Sequence, residues 1–125
     1  MTTINANEVE INGIVYVPKG SEQEKAHTNT EGLEFVIVRS ADAGVFAGYI
    51  FSRNGSEVKL VNSRRLWYWS GAASLSQLAM EGVKNPEACK FPRIVPTMDV
   101  LGVCEIIPCT EKCRLSVMGA PIWEM

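Results

Sequence analysis

From Leu33 to Trp69 the sequence alternates β-branched and aromatic runs with short clusters of turn residues. That pattern restricts the segment to antiparallel strands joined by tight turns. Leu33–Arg39 (LEFVIVR) reads as a first strand, and Ser40–Gly44 breaks it. Val45–Phe51 is a second strand. Asn54-Gly55 is a hairpin signal, because both residue types tolerate the positive φ of a tight turn. Glu57–Asn62 follows as a third strand, and Ser63–Trp69 as a fourth. Successive strands with such short links make a meander.

Beyond Ser70 the period changes. Ser74-Leu75-Ser76-Gln77 is a capping box, and Leu75, Leu78 and Ala79 share one helical face. Gly82 or Asn85 stops that helix, with Pro86 just beyond. Residues 84–96 carry three prolines and read as an irregular crossing. Met98–Ile107 is a further strand with an interruption at Gly102. Thr110 caps a second short helix, Glu111–Met118, which Gly119 and Pro121 end. The expected fold class is α+β: an antiparallel meander with two short helices.

Residues 1–32 read as an appendage to a single domain at 33–125. Apolar runs flank Asn12-Gly13, which predicts a β-hairpin over residues 9–17. A lone hairpin is marginal, so it must dock on the main body or on a neighbouring subunit. Pro18–Gly32 is polar and reads as a linker.

Composition narrows the function. The 125 residues are 46% hydrophobic and carry a formal charge of −2. That balance disfavours a binder of DNA or RNA polymers, which carries a basic excess. A local cluster can still hold a small anion. No apolar run approaches the ~18 residues of a membrane span. The N-terminal stretch lacks the basic and apolar regions of a secretory signal, so the expected location is a reducing cytoplasm. The four cysteines, Cys89, Cys104, Cys109 and Cys113, form no CxxC pair. They read as buried thiols rather than zinc ligands or disulfides. His27, the single histidine, lies in a polar stretch and reads as solvated. Asp42 and Asp99 are the two aspartates, and no motif pairs them as acid and base, so no catalytic residue is assigned.

The densest unusual segment is Arg64-Arg65-Leu66-Trp67-Tyr68-Trp69. Arginine forks suit phosphate and aromatic faces suit bases. Strand alternation would put Arg65, Trp67 and Trp69 on one face. Spacing alone favours plain packing, with the tryptophans in the core and arginine stems covering them. Arg39–Gly48 is rich in small residues and reads first as a hairpin turn, though small residues also admit a ligand. Neither GxGxxG nor a P-loop is present. Lys84, Lys90, Arg93, Lys112 and Arg114 are scattered and mostly read as solvated, with Lys112 and Arg114 near a helix end where small anions could bind.

The runs RSADAGVFAG (Arg39–Gly48), RRLWYWSGAASLSQLAMEGV (Arg64–Val83) and CKFP (Cys89–Pro92) resemble a family of small phage and prophage proteins. This family includes Thoeris anti-defence protein one. The resemblance covers roughly residues 33–123. It implies a non-catalytic sponge, phage- or prophage-encoded and acting in the bacterial host cytoplasm. Such sponges sequester cyclic ADP-ribose isomers, and some also bind cyclic di- and trinucleotides of CBASS defence at a separate site. It further implies a homo-oligomer, a dimer assembling into a hexamer, and no cofactor. On that reading Arg39, Arg64 and Arg65 are candidate phosphate holders. Phe46, Trp67 and Phe91 are candidates for stacking, and Gln77 and Asn85 for ribose or base edges. Competing expectations are an enzyme that cleaves such a signal, and an interaction protein in which the Trp-rich segment only packs subunits.

Overall fold

The computed structural model describes residues 2–4, 9–11, 14–16, 29 and 31–125, the first three stretches as strand backbone. These are β1 (Thr2–Ile4), β2 (Val9–Ile11) and β3 (Ile14–Tyr16), an antiparallel sheet in that order. The expected hairpin is β2–β3, closed by the Ile11–Ile14 pair. Its turn residues Asn12-Gly13, most of the polar linker and His27 lie outside the described residues. The strand β1, which pairs with β2, was not anticipated from the sequence.

The main sheet contains β4 (Phe35–Ser40), β5 (Gly44–Asn54), β6 (Glu57–Arg65), β7 (Val95–Val100) and β8 (Val103–Pro108). Its spatial order is β7-β6-β5-β4-β8, all antiparallel. The strands β4, β5 and β6 are the expected meander, whereas the strand beside β6 is β7, which arrives only after the helix and crossing segment rather than from residues 63–69. Leu101-Gly102 interrupts the last strand where anticipated, with Gly102 at φ +68°.

The consequence of that interruption is large. β7 and β8 lie on opposite edges of the sheet, yet two residues join them. Three peptide steps span at most ~11 Å. In a flat five-stranded sheet the edge strands would stand about 19 Å apart. The sheet must therefore curl until its edges meet at the Leu101-Gly102 corner. Ser40 Oγ donates to Leu101 O at 2.7 Å and Val103 N to Ser56 O at 2.9 Å, fixing that corner. The result is a small half-closed barrel. Its interior takes residues from every strand: Val36, Val38, Phe46, Val58, Leu60 and Val100 are buried there, with Val103 and Ile106 packed against them.

The outer face of the sheet carries the helices. Here Phe35, Ile37, Ala47 and Leu66 pack with α1 (Leu75–Glu81) and α2 (Glu111–Met118) through Leu78, Cys113 and Val117. β4 is thus covered on both faces, which explains its unbroken apolar run Phe35-Val36-Ile37-Val38. Both helices begin at the expected caps. Gln77 N donates to Ser74 Oγ at 3.1 Å, and Cys113 N to Thr110 Oγ1 at 3.2 Å. Gln77 Oε1 reaches back to Ala73 N at 2.8 Å, one residue earlier than in a standard capping box. Thr110 Oγ1 also donates to Met80 O at 2.7 Å, tying the start of α2 to the end of α1.

Two local expectations shift. The β5–β6 turn centres on Gly55-Ser56, since Asn54 pairs with Glu57. Gly55 has φ +62°, the first-position glycine of a type II′ turn. The expected strand 63–69 does not form separately: β6 runs through to Arg65 and then leaves the sheet. A bulge absorbs the bend, with Asn62 at φ +48° and a register shift opposite Gly48. A Cβ on Gly48 would stand 2.6 Å from Ser63 Cβ, so glycine is what lets β5 and β6 approach there.

Arg64 closes the fold. It is 1% exposed, and all five guanidinium N–H groups donate to main-chain carbonyls. Nε reaches Pro92 O at 2.7 Å; Nη1 reaches Val117 O at 2.9 Å and Ala120 O at 2.8 Å; Nη2 reaches Phe91 O at 3.0 Å and Pro121 O at 3.1 Å. Val117 and its successors lie at the C-terminal, negative end of the α2 dipole. Burial pulls the guanidinium pKa below its ordinary value, but arginine has ample margin to stay charged at neutral pH. Arg64→Ala leaves buried carbonyls unpartnered and a cavity behind. It should cost about 3–5 kcal/mol in urea denaturation. An unchanged midpoint would show these contacts to be dispensable.

Candidate functional site

Curling brings the β4–β5 turn against the β7–β8 corner, and between them lies an open cleft of about 500 Å³. Asp42 and Ala43 come from the turn, Phe46 and Arg65 from β5 and β6, and Met98, Asp99 and Leu101 from β7 and the corner. The Arg65 guanidinium stacks 4.5 Å over the Phe46 ring, and its Nη1 donates to Ala43 O at 2.7 Å. Ring and carbonyl together fix the plane of the fork. Nε and Nη2 have no hydrogen-bond partner among the described residues. Phe46 is 2% exposed, so it serves as the support under Arg65 rather than as a free stacking face.

Asp42 and Asp99 bring carboxylates to the same cleft. Lys59 Nζ stands 3.8 Å from Asp99 Oδ1 and offsets that charge in part. The site therefore presents a fixed cationic fork, two carboxylates and the apolar surfaces of Met98 and Leu101. Chemically, the fork suits an oxyanion, the carboxylates suit hydroxyls or amino groups, and the apolar surfaces suit a ring.

Of the eight residues singled out from the sequence, Phe46 and Arg65 meet here. Arg64 and Phe91 also meet, 5.7 Å apart, but inside the core. Arg64 has no donor left for a phosphate, and Phe91, 0% exposed, has no open face. Both are corrected to structural roles, because alternation along β6 sends Arg64 to the helical side and Arg65 to the cleft. Arg39 is exposed and pairs with Glu105 at 3.1 Å, a contact that raises its pKa. Gln77 serves the α1 cap and bonds Glu81 at 3.1 Å. Asn85 is exposed, with Nδ2 at 3.5 Å from Ser70 Oγ. Trp67 is 64% exposed and lies outside the cleft. The chain leaves the sheet after Arg65, so Trp67 does not follow it onto one face, and Trp69 packs against the helical core instead.

Asp42, Met98 and Asp99 were missed as site residues. The available signal was that Asp42 and Asp99 are the chain's two aspartates, one at a turn and one near the strand interruption.

The cysteines are all free thiols. Cys89, Cys109 and Cys113 are buried, and Cys104 is exposed. The hydrogen bond with Cys113, together with burial, pushes the Cys109 thiol far above its ordinary pKa. Among the described residues no three His, Cys, Asp or Glu side chains converge as a metal site.

Fold and cleft together define a small α+β domain, a half-closed barrel with helical cover and an arginine-based pocket at its mouth. The chain belongs to the family described as Domain of unknown function (DUF6948), which matches residues 33–117. No curated protein and no solved structure matches it.

Thiolate chemistry gives a direct check on this burial. Alkylation of the native protein at pH 8 should modify Cys104 alone, and denaturation should expose the remaining three cysteines. Rapid native modification of Cys109 or Cys113, read by peptide mass, would contradict the helical core described above.

Proposed function

We propose that this domain binds and holds, without cleaving, a small nucleotide-type ligand at the barrel mouth. The carrying observation is the Arg65 fork, stacked over Phe46, tied by Nη1 to Ala43 O and lining a ligand-sized cleft. A phosphate oxygen pair takes the fork bidentately. Asp42 and Asp99 accept from ribose hydroxyls, and Met98 and Leu101 flank a purine. The cleft volume is within the ~300–1,000 Å³ of small-molecule sites. The sequence resemblance supplies the ligand class, a cyclic ADP-ribose-type immune signal, with cyclic oligonucleotides at a separate site. It also supplies the setting: a phage- or prophage-encoded homo-oligomer in the bacterial cytoplasm that keeps the signal from its effector.

One observation favours a second reading. Asp42 and Asp99 share the cleft, as a general acid and base would in an enzyme that degrades the signal.

The two readings separate in one experiment. Purified protein is incubated with cyclic ADP-ribose isomers or cyclic oligonucleotides, freed of unbound ligand, heated, and the released molecule is identified by mass. Sequestration returns an intact molecule, and Arg65→Ala weakens its binding about 10- to 100-fold, the loss of one or two charge-assisted hydrogen bonds. A converted product that disappears in Asp42→Asn or Asp99→Asn establishes the enzyme instead. Release of nothing overturns both.

A further inference from the structure

The Arg65 cleft has a neighbour. At the β7–β8 corner a second open cleft of about 450 Å³ adjoins it, and Asp99 and Leu101 line both. Strand register explains what this neighbour contains. Directly opposed residues of antiparallel strands share a face, as do residues two apart on one strand. Ser52 pairs with Lys59, Asn54 with Glu57, and Lys59 with Asp99. Ser52, Asn54, Glu57, Lys59 and Asp99 therefore stand on one face of the sheet, and all five line the second cleft.

The chemistry of the second cleft differs from that of the first. Arg65 lines only the first, and Lys59 Nζ in the second already stands 3.8 Å from Asp99 Oδ1. Ser52, Asn54 and Glu57 are exposed, and among the described residues their side chains make no hydrogen bond or ion pair. A hydroxyl and a carboxamide both donate and accept, and a carboxylate accepts at two oxygens. Such a set matches the adjacent hydroxyls of a sugar better than it matches a phosphate. Its spacing is set by the fold, because Asn54 and Glu57 flank the tight Gly55-Ser56 turn and Val103 N donates to Ser56 O at 2.9 Å. Leu101, 59% exposed, is the ridge between the two clefts and offers apolar surface to the C–H face of a sugar ring.

We propose that the second cleft is a sugar subsite. A ligand whose phosphate sits on Arg65 passes over Leu101 and places the hydroxyls of a further sugar against Ser52, Asn54 and Glu57. This rests on the reading of the Arg65 cleft as a nucleotide site and adds a length requirement to it. A cleft of this volume is about 10 Å across, so two that share a wall have centres about that far apart. A nucleoside diphosphate that carries a terminal sugar bridges the span, whereas a nucleoside diphosphate alone stops at the ridge. Neutral hydrogen bonds on the β5–β6 hairpin, rather than charge, then supply the selection.

Isothermal titration of the full chain with ADP and with ADP-ribose tests this, since the two probes differ by the terminal ribose. ADP-ribose should bind about 10-fold tighter than ADP, the return of one or two neutral hydrogen bonds. Ser52→Ala with Asn54→Ala should remove that advantage and leave the ADP affinity as it was, which also shows the variant to be folded. Arg65→Ala should weaken both probes. If ADP-ribose binding falls in Arg65→Ala but not in the hairpin variant, the sugar subsite is overturned and the Arg65 reading stands. Equal affinity of the full chain for the two probes has the same meaning. Equal weakening of both probes in the hairpin variant assigns its effect to the fold or to the first cleft and overturns the subsite as well. Binding of neither probe overturns the subsite together with the reading on which it rests.

Discussion

The guanidinium of Arg64 holds together the parts of the domain that strand pairing does not reach. It is buried at the end of β6, and its five donors collect carbonyls from the crossing segment at Phe91-Pro92 and from the chain at and beyond the end of α2. Among the described residues no carboxylate pairs with it. The balance comes from five carbonyl dipoles and the negative end of a helix, each too weak alone to offset the desolvation of a charge. Segments that share one guanidinium cannot drift apart independently. The segments carrying Tyr68, Lys90 and Trp123, bridged to one another through Lys90 and Phe91, inherit their order from this contact, because Phe91 and Pro121 are among the acceptors.

Barrel closure has a comparable effect on the cleft. The β4–β5 turn and the β7–β8 corner are remote in sequence, and each alone is an ordinary surface loop. The two-residue link between opposite edge strands forces them together, and a turn aspartate and a strand aspartate then line one cleft with an arginine. Phe46 acts in both places: one side fills the barrel interior and the other supports Arg65. Packing and site geometry are thus coupled through one ring, so the fork is held by the core as well as by the turn carbonyl of Ala43.

Adjacent arginines illustrate how strand geometry separates roles. Arg64 and Arg65 are the same residue type one position apart, and the pleat sends them to opposite faces. One meets only carbonyls and becomes part of the core. The other meets a ring and one carbonyl and lines the cleft. The aromatic run behind them divides as well, since Trp69 packs inward while Trp67 and Tyr68 remain outside.

Local chemistry was readable without a fold. The α+β class, the caps at Ser74 and Thr110, the bounds of the second helix and the break at Gly102 follow from side-chain preferences within a few residues of each position. So does the hairpin pairing of β2 with β3. What the sequence could not convey depends on residues far apart in the chain. The partner of β8 is β4, more than sixty positions upstream, and no local preference encodes that choice. It arises because the short corner forbids a flat sheet and only a curled one buries the apolar residues of all five strands. The same closure decided which arginine faces the cleft, which aromatic stays exposed and that two unremarkable aspartates share a site. Sequence determined the elements, through local conformational energy; tertiary structure decided their meeting points, through the burial and chain-connectivity constraints that only the whole fold imposes.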